Sequence, residues 1–288
     1  MLNKLIPDQQ SNTANSSSHL PIGLFDSGVG GLTVLAAMRK LMPEQNFLYL
    51  GDNARLPYGT KGPQTITRYA LQVAELLVKR KIKLLVVACN TASAIALDAL
   101  RQQYPHLPVL GVVEPGAQAA CLASKTGNIA VIATESTIRG QAYHKAISKL
   151  NPNAKIIAKP CPLFVPMAEE GLIDGPLVDS IVAHYLDEIF TTYSQNAQNP
   201  KPDCLVLGCT HFPLLKASIT RVIGNDINIV DSAKTTALAV RELIGAETKQ
   251  AFGKTHFITT DDVQPFVRVG ALFLGENIKP EDVEKVDL

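Results

Sequence analysis

Two short stretches restrict this chain more than any other feature: Val86-Val87-Ala88-Cys89-Asn90-Thr91 and Val206-Leu207-Gly208-Cys209-Thr210-His211. Each passes from an apolar run through one small residue into a cysteine followed by hydrogen-bonding side chains. A β-branched run without polar alternation reads as a strand buried on both faces, as in a parallel sheet. Each cysteine then stands at the carboxyl end of a strand, just as a helix begins. Free backbone N–H groups and the helix dipole at that place favour a thiolate. Two such tips predict two facing acid/base groups.

The rest of the chain repeats the alternation. Strands are expected at 21–25, 47–50, 83–88, 109–113, 129–133, 155–158, 204–207, 227–230 and 257–259, and helices at 32–40, 65–79, 92–103, 117–123, 139–150, 178–193 and 234–243. A final segment at 263–274 ends the fold. Glu114-Pro115-Gly116 reads as the close of a strand, 134–137 as a loop and 195–202 as a turn-rich connection. Pro160-Cys161-Pro162-Leu163-Phe164-Val165-Pro166 also reads as a loop, because its prolines remove donors and fix φ. Alternation of this kind means parallel βαβ units with right-handed crossovers. The expected fold is therefore α/β: two pseudo-symmetric lobes, each with a mostly parallel sheet flanked by helices, and an active site in the cleft between them. The first lobe is expected to take 21–113 plus 229–288 and the second 114–228, after a flexible tail at 1–20. Ligands of open α/β sheets bind at the carboxyl ends of strands, where Asp26, Cys89, Thr134 and Cys209 all fall.

Composition narrows the function classes. The chain carries 27 Lys+Arg against 26 Asp+Glu, a net charge of +1, so neither a nucleic-acid nor a membrane partner is expected. Five cysteines form an odd set with no Cys-x-x-Cys, which argues for reduced thiols in the cytoplasm and against a zinc site or a disulfide framework. Residues 1–20 lack the apolar core of a secretory signal. Cys121, Cys161 and Cys204 read as small buried hydrophobes.

Asp26-Ser27-Gly28-Val29-Gly30-Gly31 follows the first strand and opens a helix. A phosphate-binding P-loop needs Gly-Lys-Ser/Thr, and Leu32-Thr33 stand there instead; the glycine spacing also fails the dinucleotide fingerprint. Two readings stay open: Asp26 and Ser27 face a small ligand, or one of them caps the helix. The long loop from Gly51 to Gly62 sits where loops usually serve a site. His211, two residues past Cys209, either keeps that sulfur's proton mobile or caps a helix. Glu169 and Glu170 are either a solvated pair or part of the site.

Six segments together resemble one family. D-S-G-V-G-G-L-T-V (26–34), G-D-N-A-R-L-P-Y-G (51–59), A-C-N-T-A-S-A (88–94), G-V-V-E-P-G-A (111–117), P-L-F-V-P (162–166) and L-G-C-T-H-F-P-L-L (207–215) resemble the bacterial glutamate racemases, in order from about residue 21 to the C-terminus. The resemblance implies cofactor-independent interconversion of L- and D-glutamate, supplying D-glutamate for peptidoglycan. It implies that Cys89 and Cys209 are the catalytic acid/base pair, with Asp26 assisting Cys89, and Glu169 with His211 assisting Cys209. The family glutamate aligns with Glu169 by its distance from P-L-F-V-P, with adjacent Glu170 as the alternative. Substrate contacts implied are Asp26, Ser27, Pro57, Tyr58, Gly59, Asn90, Thr91, Thr134, Thr210 and His211. Phe212 stands where the family commonly has Tyr.

The chemistry implied is removal of a weakly acidic α-proton by one thiolate and delivery of a proton to the opposite face by the other thiol. No metal and no cofactor is expected, and no lysine stands in a matching strand-end motif that would ask for pyridoxal phosphate. Rival readings are a racemase of aspartate or hydantoins, a related one-cysteine decarboxylase, and a two-lobed binding module without chemistry. The sequence leaves the oligomeric state open, with a homodimer as the assembly to test.

Overall fold

The computed structural model describes residues 20–192, 201–245 and 252–288. The tail expected over 1–20, apart from residue 20, falls outside the described residues, as do residue 193 of the expected helix and most of the 195–202 connection. In chain order the strands are β1 (Ile22–Asp26), β2 (Phe47–Gly51), β3 (Leu84–Val87), β4 (Val109–Gly111), β5 (Asn128–Ala133), β6 (Lys155–Pro160), β7 (Cys204–Gly208), β8 (Asn228–Asp231), β9 (Thr255–Thr259) and β10 (Val283–Lys285). They form a six-stranded sheet in the order β10-β9-β2-β1-β3-β4 and a four-stranded sheet in the order β6-β5-β7-β8. The pairings in both are parallel. β8 spans the lobe boundary expected at residue 229 and pairs with β7, so this strand lies with the four-stranded sheet.

The helices are α1 (Leu32–Leu41), α2 (Pro63–Lys79), α3 (Asn90–Ile95), α4 (Leu97–Gln103), α5 (Val113–Ala123), α6 (Glu135–Arg139), α7 (Ala142–Leu150), α8 (Phe164–Glu169), α9 (Pro176–Asp187), α10 (Lys216–Ile223), α11 (Ser232–Ile244) and α12 (Val263–Leu274). They cover both faces of each sheet, which is why the strands carry no polar face. On β3, Leu84 and Val86 enter one core cluster, while Leu85 and Val87 enter another across the sheet. β7 divides in the same way, with Leu205 and Leu207 on one side and Cys204 and Val206 on the other. Among the described residues no helix is long and apolar enough to cross a membrane.

Several local expectations need correction. The 160–166 loop is instead the end of edge strand β6, which runs through Pro160, followed by α8 from Phe164. Pro166 lies in the first turn of α8, where a backbone N–H has no partner within the helix, so its loss costs little. Pro115 sits likewise in the first turn of α5, and Glu114-Pro115-Gly116 therefore opens a helix rather than closing a strand. The helix expected over 92–103 begins at Asn90 and divides at Ala96 into α3 and α4. Thr134 does not open a loop: its side chain accepts the Thr137 N–H and caps α6.

Candidate active site

β1 delivers Asp26 to its carboxyl end, fully buried. Its Oδ2 accepts the Gly28 N–H at 3.0 Å, while Oδ1 has no partner among the described residues. The N-cap of α1 is Gly31, without a side-chain bond, so neither Asp26 nor Ser27 caps this helix. Burial pushes the Asp26 carboxyl up, against the lowering effects of His211 and the Gly28 N–H. The glycines of this turn serve close approach. A β-carbon on Gly30 would press into Thr210 Oγ1 and the His211 ring, and one on Gly31 would fall 2.6 Å from the Asp26 β-carbon.

Cys89 follows β3 and is the N-cap of α3, its Sγ accepting the Ala92 N–H at 3.5 Å and lying 3.7 Å from the Ser27 hydroxyl, which can donate to a thiolate. Its place at the carboxyl end of a strand and the start of a helix is the expected one. Burial, and after it the Asp26 charge, push the Cys89 thiol up to about 12, outweighing the Ala92 and Ser27 bonds that favour ionisation.

Cys209 follows β7 in the other sheet and has different company. Its Sγ lies 3.8 Å from His211 Nδ1, and His211 Nε2 lies 2.9 Å from Glu169 Oε1. Burial alone would lower the His211 imidazole; bonds and charges from Cys209 and Glu169 outweigh it and hold the imidazole up to about 10. These contributions favour the protonated form of His211, whose Nδ1 faces the sulfur and Nε2 the carboxylate. Of the two adjacent glutamates, it is Glu169, at the end of α8, that reaches the histidine.

Both sulfurs line one cleft together with Ser27, Gly28, Leu56, Pro57, Gly59, Asn90, Thr91, Thr134, Val165, Glu169, Thr210 and His211. Thr91, Thr134 and Thr137 hydroxyls form a triangle with sides of 3.0, 3.1 and 3.0 Å. Asp26 lies outside this lining, behind Cys89. The Tyr58 side chain does not reach the cleft: it is fully buried and its hydroxyl donates to Asp52. Its backbone neighbours Pro57 and Gly59 are the part of that loop that lines the cleft. Gly28, Leu56, Val165 and Thr137 were not singled out in the sequence; Thr137 was legible as the i+3 partner of a threonine cap. Among the described residues no group of three or more His, Cys, Asp or Glu side chains could hold a metal ion.

Two helix-flanked parallel sheets, each ending a strand in a buried cysteine that lines one shared cleft, define an α/β protein. The chain belongs to the Asp/Glu/Hydantoin racemase family, whose profile matches residues 32–240. The glutamate racemase of Geobacter metallireducens is 49% identical over 271 residues, spanning 93% of this chain and 96% of that protein. The solved glutamate racemase of Francisella tularensis in complex with D-glutamate has a TM-score of 0.83 at 34% identity, covering 94% of this chain and 98% of that one. That of Thermus thermophilus in complex with β-chloro-D-alanine has a TM-score of 0.82 at 38% identity, covering 95% and 99%.

Proposed function

We propose that this protein interconverts L- and D-glutamate by two-base proton transfer at the α-carbon, with Cys89 and Cys209 on opposite faces of the substrate. The observation that carries this reading is a single cleft lined by both sulfurs, each presented by a strand of a different sheet. One cysteine enters as thiolate and takes the α-proton; the other enters as thiol and gives its proton to the opposite face. The two exchange states in each turnover, so no proton is gained or lost. Asp26, behind Cys89, and the His211–Glu169 pair, beside Cys209, adjust the sulfurs.

The difficult step is placing negative charge next to a carboxylate. N–H groups at the start of α3 and the hydroxyls of Thr91, Thr134 and Thr210 stand around the cleft as donors that stabilise that charge where water is largely excluded. Ser27, Asn90 and the Pro57–Gly59 backbone complete the proposed substrate contacts, and these residues perform the transfer without pyridoxal phosphate or metal. The product D-glutamate would supply peptidoglycan synthesis in the cytoplasm.

The test is L-glutamate in deuterated water with dialysed protein, followed by circular dichroism and mass. The expected result is decay of the optical signal to zero with one deuterium entering at Cα. A strict need for added cofactor or metal, or turnover of aspartate or a hydantoin in preference to glutamate, would overturn the assignment.

A further inference from the structure

The two cysteine stretches differ at the residue before the sulfur, Ala88 in one and Gly208 in the other. A side chain at Gly208 would meet three neighbours, the Ile132 carbonyl, the Ala133 β-carbon and the ring of Tyr143, a residue of α7 that is not among those lining the cleft. A β-carbon at Gly208 would fall 3.0 Å from the Tyr143 ring, and one at Gly116 would fall 3.2 Å from it. The ring is therefore held between two side-chain-free stretches of backbone, one of which runs directly into Cys209. The hydroxyl at the far end of the same ring accepts the Asn90 Nδ2–H at 2.8 Å, and Asn90 is the residue directly after Cys89. Tyr143 and Asn90 are only 3% and 2% exposed, so their polar groups are satisfied by buried partners rather than by solvent.

A second route closes the same circuit. Asn90 Nδ2 also donates to Ser232 Oγ at 3.1 Å, and Ser232 Oγ donates to the Leu207 carbonyl of β7 at 3.2 Å. Both hydrogens of the Asn90 amide are thereby committed, which holds its rotation. The turn at Cys89 is tied to the turn at Cys209 through one aromatic ring and one serine.

We propose that Tyr143 is a positioning residue that sets the two thiol-bearing turns against each other, its ring seated on the backbone before Cys209 and its hydroxyl holding the side chain after Cys89. This rests on the two-cysteine reaction proposed above. Two bases acting on opposite faces of one carbon tolerate little change in separation, since a misplacement of about 1 Å costs on the order of a hundredfold. A side chain touching both turns is well placed to fix that separation. Tyr143 touches no reacting atom in this account; it acts through Asn90 and Gly208.

The experiment is a double-mutant cycle on the full chain. Tyr143→Phe keeps the ring between Gly116 and Gly208 and removes only the acceptor for Asn90. The expected result is a fall in kcat of about tenfold with KM changed less than about threefold, beside a modest fall in the thermal midpoint from the buried Asn90 N–H left without its acceptor. In the Asn90→Ala background the same substitution is expected to have no further effect, because the group through which it acts is gone. Ser232→Ala is expected to repeat both results and carries the same test if Tyr143→Phe folds poorly. Wild-type kcat in Tyr143→Phe, or an equal further loss in the Asn90→Ala background, would overturn the proposal. Wild-type protein that exchanges no α-proton would overturn the reaction itself, a failure visible before any variant is made.

Discussion

Cys89 and Cys209 occupy matching places in their sheets and unlike electrical surroundings. Behind Cys89 lies the fully buried Asp26, and burial with that charge holds the thiol protonated up to about 12. Beside Cys209 lies His211, backed by Glu169, whose bonds and charges hold the imidazole up to about 10. The expectation that a helix begins directly at both cysteines holds only for Cys89, the N-cap of α3; a short turn at Phe212–Leu215 separates Cys209 from α10. Helix N–H groups contribute at Cys89, but desolvation and one carboxylate outweigh them.

The largest expected effect comes from removing either sulfur. Cys89→Ser and Cys209→Ser should each lower kcat/KM on the order of a thousandfold or more, since serine is a far poorer base at neutral pH. L- and D-glutamate have equal free energies, so kcat/KM must fall equally in both directions. The difference between the two sides shows instead in solvent deuterium exchange, where each variant is expected to retain exchange with one enantiomer, and not the same one. Both variants exchanging the same enantiomer, or either racemising at the wild-type rate, would break the comparison.

A smaller effect is expected from the neighbours. Asp26→Asn and His211→Asn should each reduce kcat on the order of tenfold to a hundredfold, less than loss of the base itself. Their effects on kcat should fall unequally on the two directions and in opposite senses. Ultraviolet absorbance of the thiolate sharpens this: without the Asp26 charge, Cys89 should ionise at lower pH, while His211→Asn leaves that titration in place. A Cys89 titration indifferent to Asp26 would show that burial alone sets it.

Much of the cleft was legible because its parts are local. Apolar runs placed β1, β3, β5 and β7, and both cysteines follow from where such runs stop. Glycines 30 and 31 were visible as a turn, but their reason was not: Gly30 is small because Thr210 and His211, far along the chain, press against it. Pro115 and Pro166 misled because proline breaks a helix interior yet fits a first turn, and sequence does not mark where the first turn begins. The motif around Tyr58 implies a substrate contact, while its hydroxyl donates to Asp52 in the core behind the loop. Asn90 and Tyr143 stand 53 residues apart and Asn90 and Ser232 stand 142 apart, pairings that no local pattern announces.

The smallest effect belongs to Glu169, which touches His211 rather than the sulfur. Glu169→Gln keeps a hydrogen-bond acceptor and removes a charge, so kcat at neutral pH should fall only about threefold. The pH profile should move more clearly. Burial opposes the His211 proton, and the bonds and charges of Cys209 and Glu169 hold it up to about 10, against an ordinary value of 6.5. A raised folded-state value means that the proton-linked stability is fully present below about 6.5 and is lost as pH rises through about 10. Without the carboxylate the imidazole gives up its proton earlier, so the basic limb of kcat should shift to lower pH. The thermal midpoint of the variant should trail the wild type at neutral pH and converge with it above about 10. Glu170→Gln is the control, one residue away with no bond to His211, and it should move neither curve. An unmoved basic limb in Glu169→Gln, or an equal shift in Glu170→Gln, would show that the imidazolium beside Cys209 does not depend on this carboxylate, and the electrical contrast between the two thiols would have to rest on His211 and Asp26 alone.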